Sequence, residues 1–204
     1  MKELTSRQKK SLEMKGRIHD VFCQLMIENE GDVTVKDICT AAGISVGSFY
    51  NLFDSKEAVT AQLYESQSKV LAQRVYPEDP DERILAVLED VLEISIEKGT
   101  QYLKMAAVYE AEHTSSIVRS SYDGQIFTST TAEIIIEALE QGQSTGQYHF
   151  SKPAWYYSDM MIFMFRSILL FWQINNGNFD AKSHLRSYTE TILSILRGEK
   201  GADR

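Results

Sequence analysis

The sequence predicts an all-α protein of about nine helices, a small amino-terminal group followed by a larger helical bundle. Three observations carry that prediction. Apolar residues recur at helical spacing along most of the chain, and no window alternates with the period of two that a half-buried strand requires. Glycines, prolines and capping residues separate the helical stretches at the offsets helices use to start and stop. At 204 residues and 43% hydrophobic content, a small domain joined to a larger one can bury a real core.

In chain order, Ile18, Val21, Phe22, Leu25 and Met26 share one face of a first helix, which Gly31-Asp32 ends. Thr34 stands as the N-cap of "VKDICTAA", with Asp37 in the place of the Glu or Gln of a capping box. Gly43 follows as a left-handed helix terminus, and Ser45 caps a short third helix over 46–52. Ser55 caps a longer fourth helix that runs to position 76, with Glu57 in its first turn, where the helix dipole favours negative charge. Pro77 and Pro80 mark the clearest break. Beyond it, Ile84, Val87, Leu88, Val91, Leu92 and Ser95 line a fifth helix that Gly99 stops, and further helices are expected over 101–113, 125–141, 153–175 and 181–196. "GQSTGQYHFSKP" reads as a loop. The organisation predicted is a small domain over 1–54, a connecting helix over 55–76 and a larger domain over 77–204.

The opening residues are polar, without the apolar run of a secretory signal, so a cytoplasmic protein is expected. The most apolar run, "MMIFMFRSILLFW", contains Arg166, follows Asp159 and falls short of the roughly 20 residues a membrane span needs. It reads as a helix buried in protein, so no membrane partner is expected. Cys23 and Cys39 lack disulfide or zinc spacing and read as small buried side chains. The net charge of -8 is unevenly spread: residues 1–76 hold 10 Lys+Arg and 10 Asp+Glu, the remainder 11 and 19. Residues 1–17 are net +4, from Lys2, Arg7, Lys9, Lys10, Lys15 and Arg17 against Glu3 and Glu13. An amino-terminal part that tolerates a polyanion fits this asymmetry, as does a solvated basic tail.

The stretch "AAGISVGSFYNLF" decides between two functions. Gly43-Ile44-Ser45-Val46-Gly47 fits the G-x-S-x-G turn of a serine hydrolase with Ser45 as nucleophile, but that turn needs a buried strand before it and a parallel sheet around it. The residues before it are helical in pattern. A helix-turn-helix explains more: Ala41, Ala42 and Gly43 allow a close turn, and Ile38, Ile44 and Phe49 fix the crossing. Val46, Gly47, Ser48, Tyr50 and Asn51 then face outward, toward a major groove.

Thr34-Val35-Lys36-Asp37-Ile38, Ala42-Gly43-Ile44-Ser45, Gly47, Tyr50, Phe53 and Ser55-Lys56-Glu57-Ala58, in this order and spacing, resemble the TetR family of bacterial transcriptional regulators. The resemblance implies a TetR-like fold: a three-helix DNA-binding domain and a carboxy-terminal domain that dimerises and houses a small-molecule pocket. It implies DNA contacts from Thr34, Lys36, Ser45, Val46, Gly47, Ser48, Tyr50, Asn51 and Lys56, with Lys56 in a phosphate clamp. Leu52 stands where the family usually has His, so one contact is expected to be missing or moved; Cys39 replaces the usual Ala.

In the larger domain the penultimate helix is apolar on nearly every side, which requires cover all round. With the last helix, it is where the resemblance implies a homodimer interface, through Phe171, Leu185, Tyr188, Ile192, Ile195 and Leu196. Packing within one chain would explain the same pattern. Tyr102, Met105, Tyr109, Phe127, Trp155, Met160 and Phe163 are candidates for lining a ligand pocket, and each also suits plain core. Glu110 and His113 form one E-x-x-H where a di-iron bundle needs two, so neither metal nor cofactor is expected. The function expected is a homodimeric repressor, not an enzyme, released from its DNA operator by a small, largely apolar ligand. A regulator of the same kind without an effector is the alternative, and the serine hydrolase a distant third.

Overall fold

The computed structural model describes residues 5–112 and 129–199. Among them every regular element is helical: α1 (Ser6–Glu28), α2 (Val35–Ala42), α3 (Val46–Tyr50), a 3-10 turn (Glu57–Ala61), α4 (Gln62–Leu71), α5 (Pro80–Glu97), α6 (Thr100–Glu112), α7 (Thr130–Thr145), α8 (Ala154–Ile174) and α9 (Ala181–Leu196). The chain divides into two compact units, Met1–Gln67 with Ser95–His113, and Ser68–Ile94 with Thr114–Arg204.

In the first unit α1, the 3-10 turn and α6 pack on one another, and α2 packs on α1 and α3. The core is Ile18, Phe22, Met26, Val33, Ile38, Phe49, Phe53, Val59 and Tyr102. Tyr102 of α6 carries its hydroxyl into this core, where it donates to the Thr60 carbonyl (3.3 Å) and lies 2.8 Å from His19 Nε2 on α1. The other ring nitrogen, Nδ1, lies 3.4 Å from Asp20 Oδ1. Burial, with Lys98 second, lowers the His19 pKa, and burial pushes the Cys23 thiol up to about 11, so both stay neutral at pH 7.

In the second unit α7 packs on α8 and α8 on α9. Ser158, Met161, Ile162, Phe165, Ile168 and Trp172 form the inward face of α8, and Ala181, Leu185, Thr189, Leu193 and Leu196 that of α9. Arg197 ties the end of α9 to Asp81 (2.5 Å) and also to Glu190, while the Tyr148 hydroxyl donates to the other oxygen of Asp81 (2.5 Å).

α1, whose start the apolar spacing leaves open, begins at Ser6, because Thr5 and Gln8 form a capping box there. Three boundaries depart from the sequence expectation. The segment expected as one helix to position 76 opens as a 3-10 turn with Ser55 as its cap (Ala58 N to Ser55 Oγ, 3.2 Å) and stops at Leu71. Val75 is 98% exposed and Pro77 follows, so neither packing nor backbone favours continuing the helix. α3 is shorter than expected, with Asn51 and Leu52 in a closing turn. α7 runs to Thr145, through Gly142, which had marked the loop. A Cβ on Gly142 would overlap the Tyr148 ring, so this glycine admits an aromatic ring, and the left-handed terminus falls to Gly146 (φ 80°).

Gly142→Ala is therefore expected to lower stability by about 1–3 kcal/mol through overpacking against a ring fixed by Asp81, despite the better helix propensity of alanine. Urea denaturation measures it; equal or higher stability would show that the ring moves aside freely.

Candidate nucleic-acid interface

The α2–α3 pair is built by local chemistry at each end of α2. Thr34 and Asp37 cap each other: Asp37 N donates to Thr34 Oγ1 (3.2 Å), and Thr34 N donates to Asp37 Oδ2 (2.9 Å). The Thr34 hydroxyl donates to the same carboxylate oxygen (2.5 Å), and these bonds hold the Asp37 carboxyl below its ordinary pKa. At the other end Gly43 takes φ 64°, ψ 41°, with its amide on the Thr40 carbonyl (3.3 Å) and that of Ile44 on Cys39 (3.0 Å). That left-handed turn is open to glycine at little cost and strained for other residues.

α3 begins at once. Ser45 Oγ accepts from Ser48 N (3.0 Å) and lies 2.8 Å from Ser48 Oγ, so the serine of the G-x-S-x-G pattern is a helix cap. Phe49 is fully buried and packs on Phe53 (centroids 5.6 Å), which turns the opposite face outward. Val46 and Tyr50 are 46% and 53% exposed, and Gly47, Ser48 and Asn51 are exposed beside them. A Cβ on Gly47 would find Ser45 Oγ at 3.8 Å as its nearest neighbour, so no protein group requires a glycine there. Leu52 is half-buried.

Around this face Thr34 and Lys36 are exposed, while Lys56 is half-buried and donates to the Val33 carbonyl (2.7 Å). The basic stretch is not all outward. Lys15 is half-buried and lies over the Phe53 ring (5.5 Å to the centroid), and Arg17, although exposed, reaches the Ala42 carbonyl; Arg7, Lys9 and Lys10 are exposed.

The pocket candidates are placed otherwise. Tyr102 is core of the first unit, and Met105 lines a surface groove of about 360 Å³ there with Met26, Glu57, Gln101 and Lys104. In the second unit Trp155 is half-buried, but Met160 and Phe163 are 44% and 49% exposed, because they fall opposite the inward face of α8 and so point away from that unit's core. The side chains of Tyr109 and Glu110 and the whole of His113 and Phe127 lie outside the described residues. Among those described, no cluster of three His, Cys, Asp or Glu could hold a metal, and no helix is long and apolar enough to cross a membrane.

The interface candidates divide. Leu185 and Leu196 are inside the unit's own core, because they share the α9 face that packs inward. Phe171, Tyr188 and Ile195 are 56%, 48% and 66% exposed, and Ile192 is half-buried. With Tyr156, Met160, Phe163, Leu170 and Ile174, which sequence reasoning did not assign to an interface, they leave an apolar stripe along α8 and α9.

Residues 24–63 match the family model described as bacterial regulatory proteins, tetR family. No curated protein matches the chain significantly in sequence. The fold is similar to RolR in complex with its ligand resorcinol, with TM-score 0.60 and 18% identity over 92% of this chain and 89% of that one. It is also similar to the TetR-family regulator PfmR from Thermus thermophilus, with TM-score 0.54 and 18% identity over 92% of this chain and 100% of that one. A third such structure is Thermus thermophilus FadR, a TetR-family repressor in complex with lauroyl-CoA, with TM-score 0.55 and 19% identity over 93% and 96% of the two chains. At these identities the likeness is one of fold.

The capping geometry yields a titration. Asp37 has a depressed folded pKa, so the stability it adds is present above its unfolded pKa and lost as pH falls through the folded one. An NMR titration is expected to place its midpoint below the ordinary carboxylate value, and Thr34→Ala to raise it. An unchanged midpoint in the variant would contradict the cap as the cause.

Proposed function

We propose that the chain, which belongs to the TetR family of bacterial transcriptional regulators, is a homodimeric repressor released from its operator by a small, largely apolar ligand. The observation that carries the reading is the outward face of α3: exposed Val46, Gly47, Ser48, Tyr50 and Asn51 on a short helix held from behind by Phe49. In this reading that face enters the major groove, with Val46 suited to a thymine methyl and Ser48, Tyr50 and Asn51 to base edges or phosphates. Thr34, Lys36, Ser45 and Lys56 flank it toward the backbone. Lys56 spends one of its three N–H donors on Val33 and keeps two for phosphate.

The stripe on α8 and α9 is the surface through which two copies pair, the same patch on each across a two-fold axis. Exposed Phe163, Phe171, Ile174 and Ile195 support that reading, since contiguous apolar surface of this kind marks an interaction site. Resorcinol and lauroyl-CoA on similar folds support an effector with a substantial apolar part. Tyr102 supplies a route for the signal: a ligand that shifts α6 strains bonds to His19 of α1 and Thr60 of the 3-10 turn, and so biases the DNA-binding helices between two arrangements.

Two measurements test this. A gel shift on the DNA upstream of the chain's own coding sequence should give a specific, salt-sensitive band. Lys36→Ala should lower the log–log salt slope by about 1.8, one phosphate contact being lost from each copy of the dimer, and Tyr50→Ala should weaken specific binding; no specific band at moderate salt would refute the DNA-binding reading. In sedimentation the wild-type chain should be a dimer and Ile195→Glu largely a monomer with weakened operator binding, whereas a wild-type monomer would refute the pairing.

A further inference from the structure

Arg17 belongs to the basic amino-terminal stretch, where a cation invites a phosphate role. The side chain is exposed, yet one N–H of its guanidinium is turned onto the protein. Nη2 donates to the Ala42 carbonyl at 2.5 Å, and a Cβ on Gly43 would lie 3.4 Å from the same nitrogen, so the group sits on the turn between α2 and α3. Ala42 ends α2, and the last carbonyls of a helix have no partner within it and lie at the negative end of its dipole. The Gly43 and Ile44 amides close the turn from within, on Thr40 and Cys39, while Arg17 closes it from α1, 25 residues away in sequence. Lys56 holds the Val33 carbonyl ahead of α2, so this eight-residue helix has a cation on the backbone at each end.

We propose that Arg17 is a positioning residue for operator recognition: it fixes the α2–α3 turn, and with it the angle at which Val46, Ser48 and Tyr50 meet DNA, and does not bind phosphate. The inference rests on the DNA-binding reading. A charge-assisted bond to a helix-terminal carbonyl is stronger than a neutral one and tolerates fewer geometries, which suits a part that aims another. A phosphate ligand and a turn clamp both lower affinity when removed, but they differ in salt dependence, because a lost phosphate contact also lowers the number of counterions released.

The test compares wild type, Arg17→Ala, Arg17→Lys and Lys36→Ala for operator affinity across a salt series, and measures amide exchange at Gly43 and Ile44 in the free proteins. Arg17→Ala is expected to bind about ten-fold more weakly or worse with an unchanged salt slope, and its Gly43 and Ile44 amides to exchange faster. Arg17→Lys, which keeps a cation able to reach the carbonyl, is expected to recover most of the loss. A slope lowered by about 1.8 in Arg17→Ala, unchanged affinity, or no recovery in Arg17→Lys would overturn the proposal. If the wild type bound no DNA, the DNA-binding reading would fail by itself; unchanged amide exchange in Arg17→Ala would then still overturn the clamp.

Discussion

The backbone passes through the left-handed region at Gly43, and what α3 presents depends on that passage. Five residues cannot hold a helix in water, since nucleation costs more than one turn of hydrogen bonds returns. α3 therefore takes its structure from its surroundings: Gly43 sets the direction, Ser45 caps the first turn, and Phe49 is buried against Phe53 and the rest of the core. With one face fixed by burial, the other must point outward. A different residue at Gly43 would meet backbone strain there and Arg17 Nη2 at 3.4 Å.

The same economy of short elements appears in the buried and half-buried polar groups of each unit. In the first, the Tyr102 hydroxyl meets the His19 ring and the Thr60 carbonyl, so three separate segments share one hydrogen-bonded node. In the second, Asp81 takes Arg197 on one oxygen and Tyr148 on the other, and burial together with that carboxylate raises the Tyr148 pKa. Buried polar groups of this kind are costly unless satisfied, so such nodes specify one arrangement of their helices more than they add stability.

Much of this was legible in the sequence. Thr34 and Asp37, Gly43, and Ser45 announced both ends of α2 and the start of α3, because caps and left-handed turns depend on the residue at one position. The outward set from Val46 to Asn51 followed from Phe49 pointing in. What escaped depended on partners distant in sequence. Gly142 reads as a break until Tyr148 is seen against it, and Arg17 reads as a free cation until its bond to Ala42 is known. The α9 residues were grouped by hydrophobicity, yet Leu185 and Leu196 face in while Tyr188 and Ile195 face out, a division that helical spacing alone left undrawn. The Thr5 and Gln8 capping box opens α1 ahead of residues that lack an apolar stripe, so periodicity alone does not mark that start.

In the proposed homodimer two copies present their α3 helices together to one face of DNA. Hydroxyl-radical footprinting of the operator-bound protein tests it most directly. Two symmetric protected patches, their centres one helical turn of about 34 Å or a small multiple apart, are the predicted result. A single protected patch at saturating protein would contradict the claim.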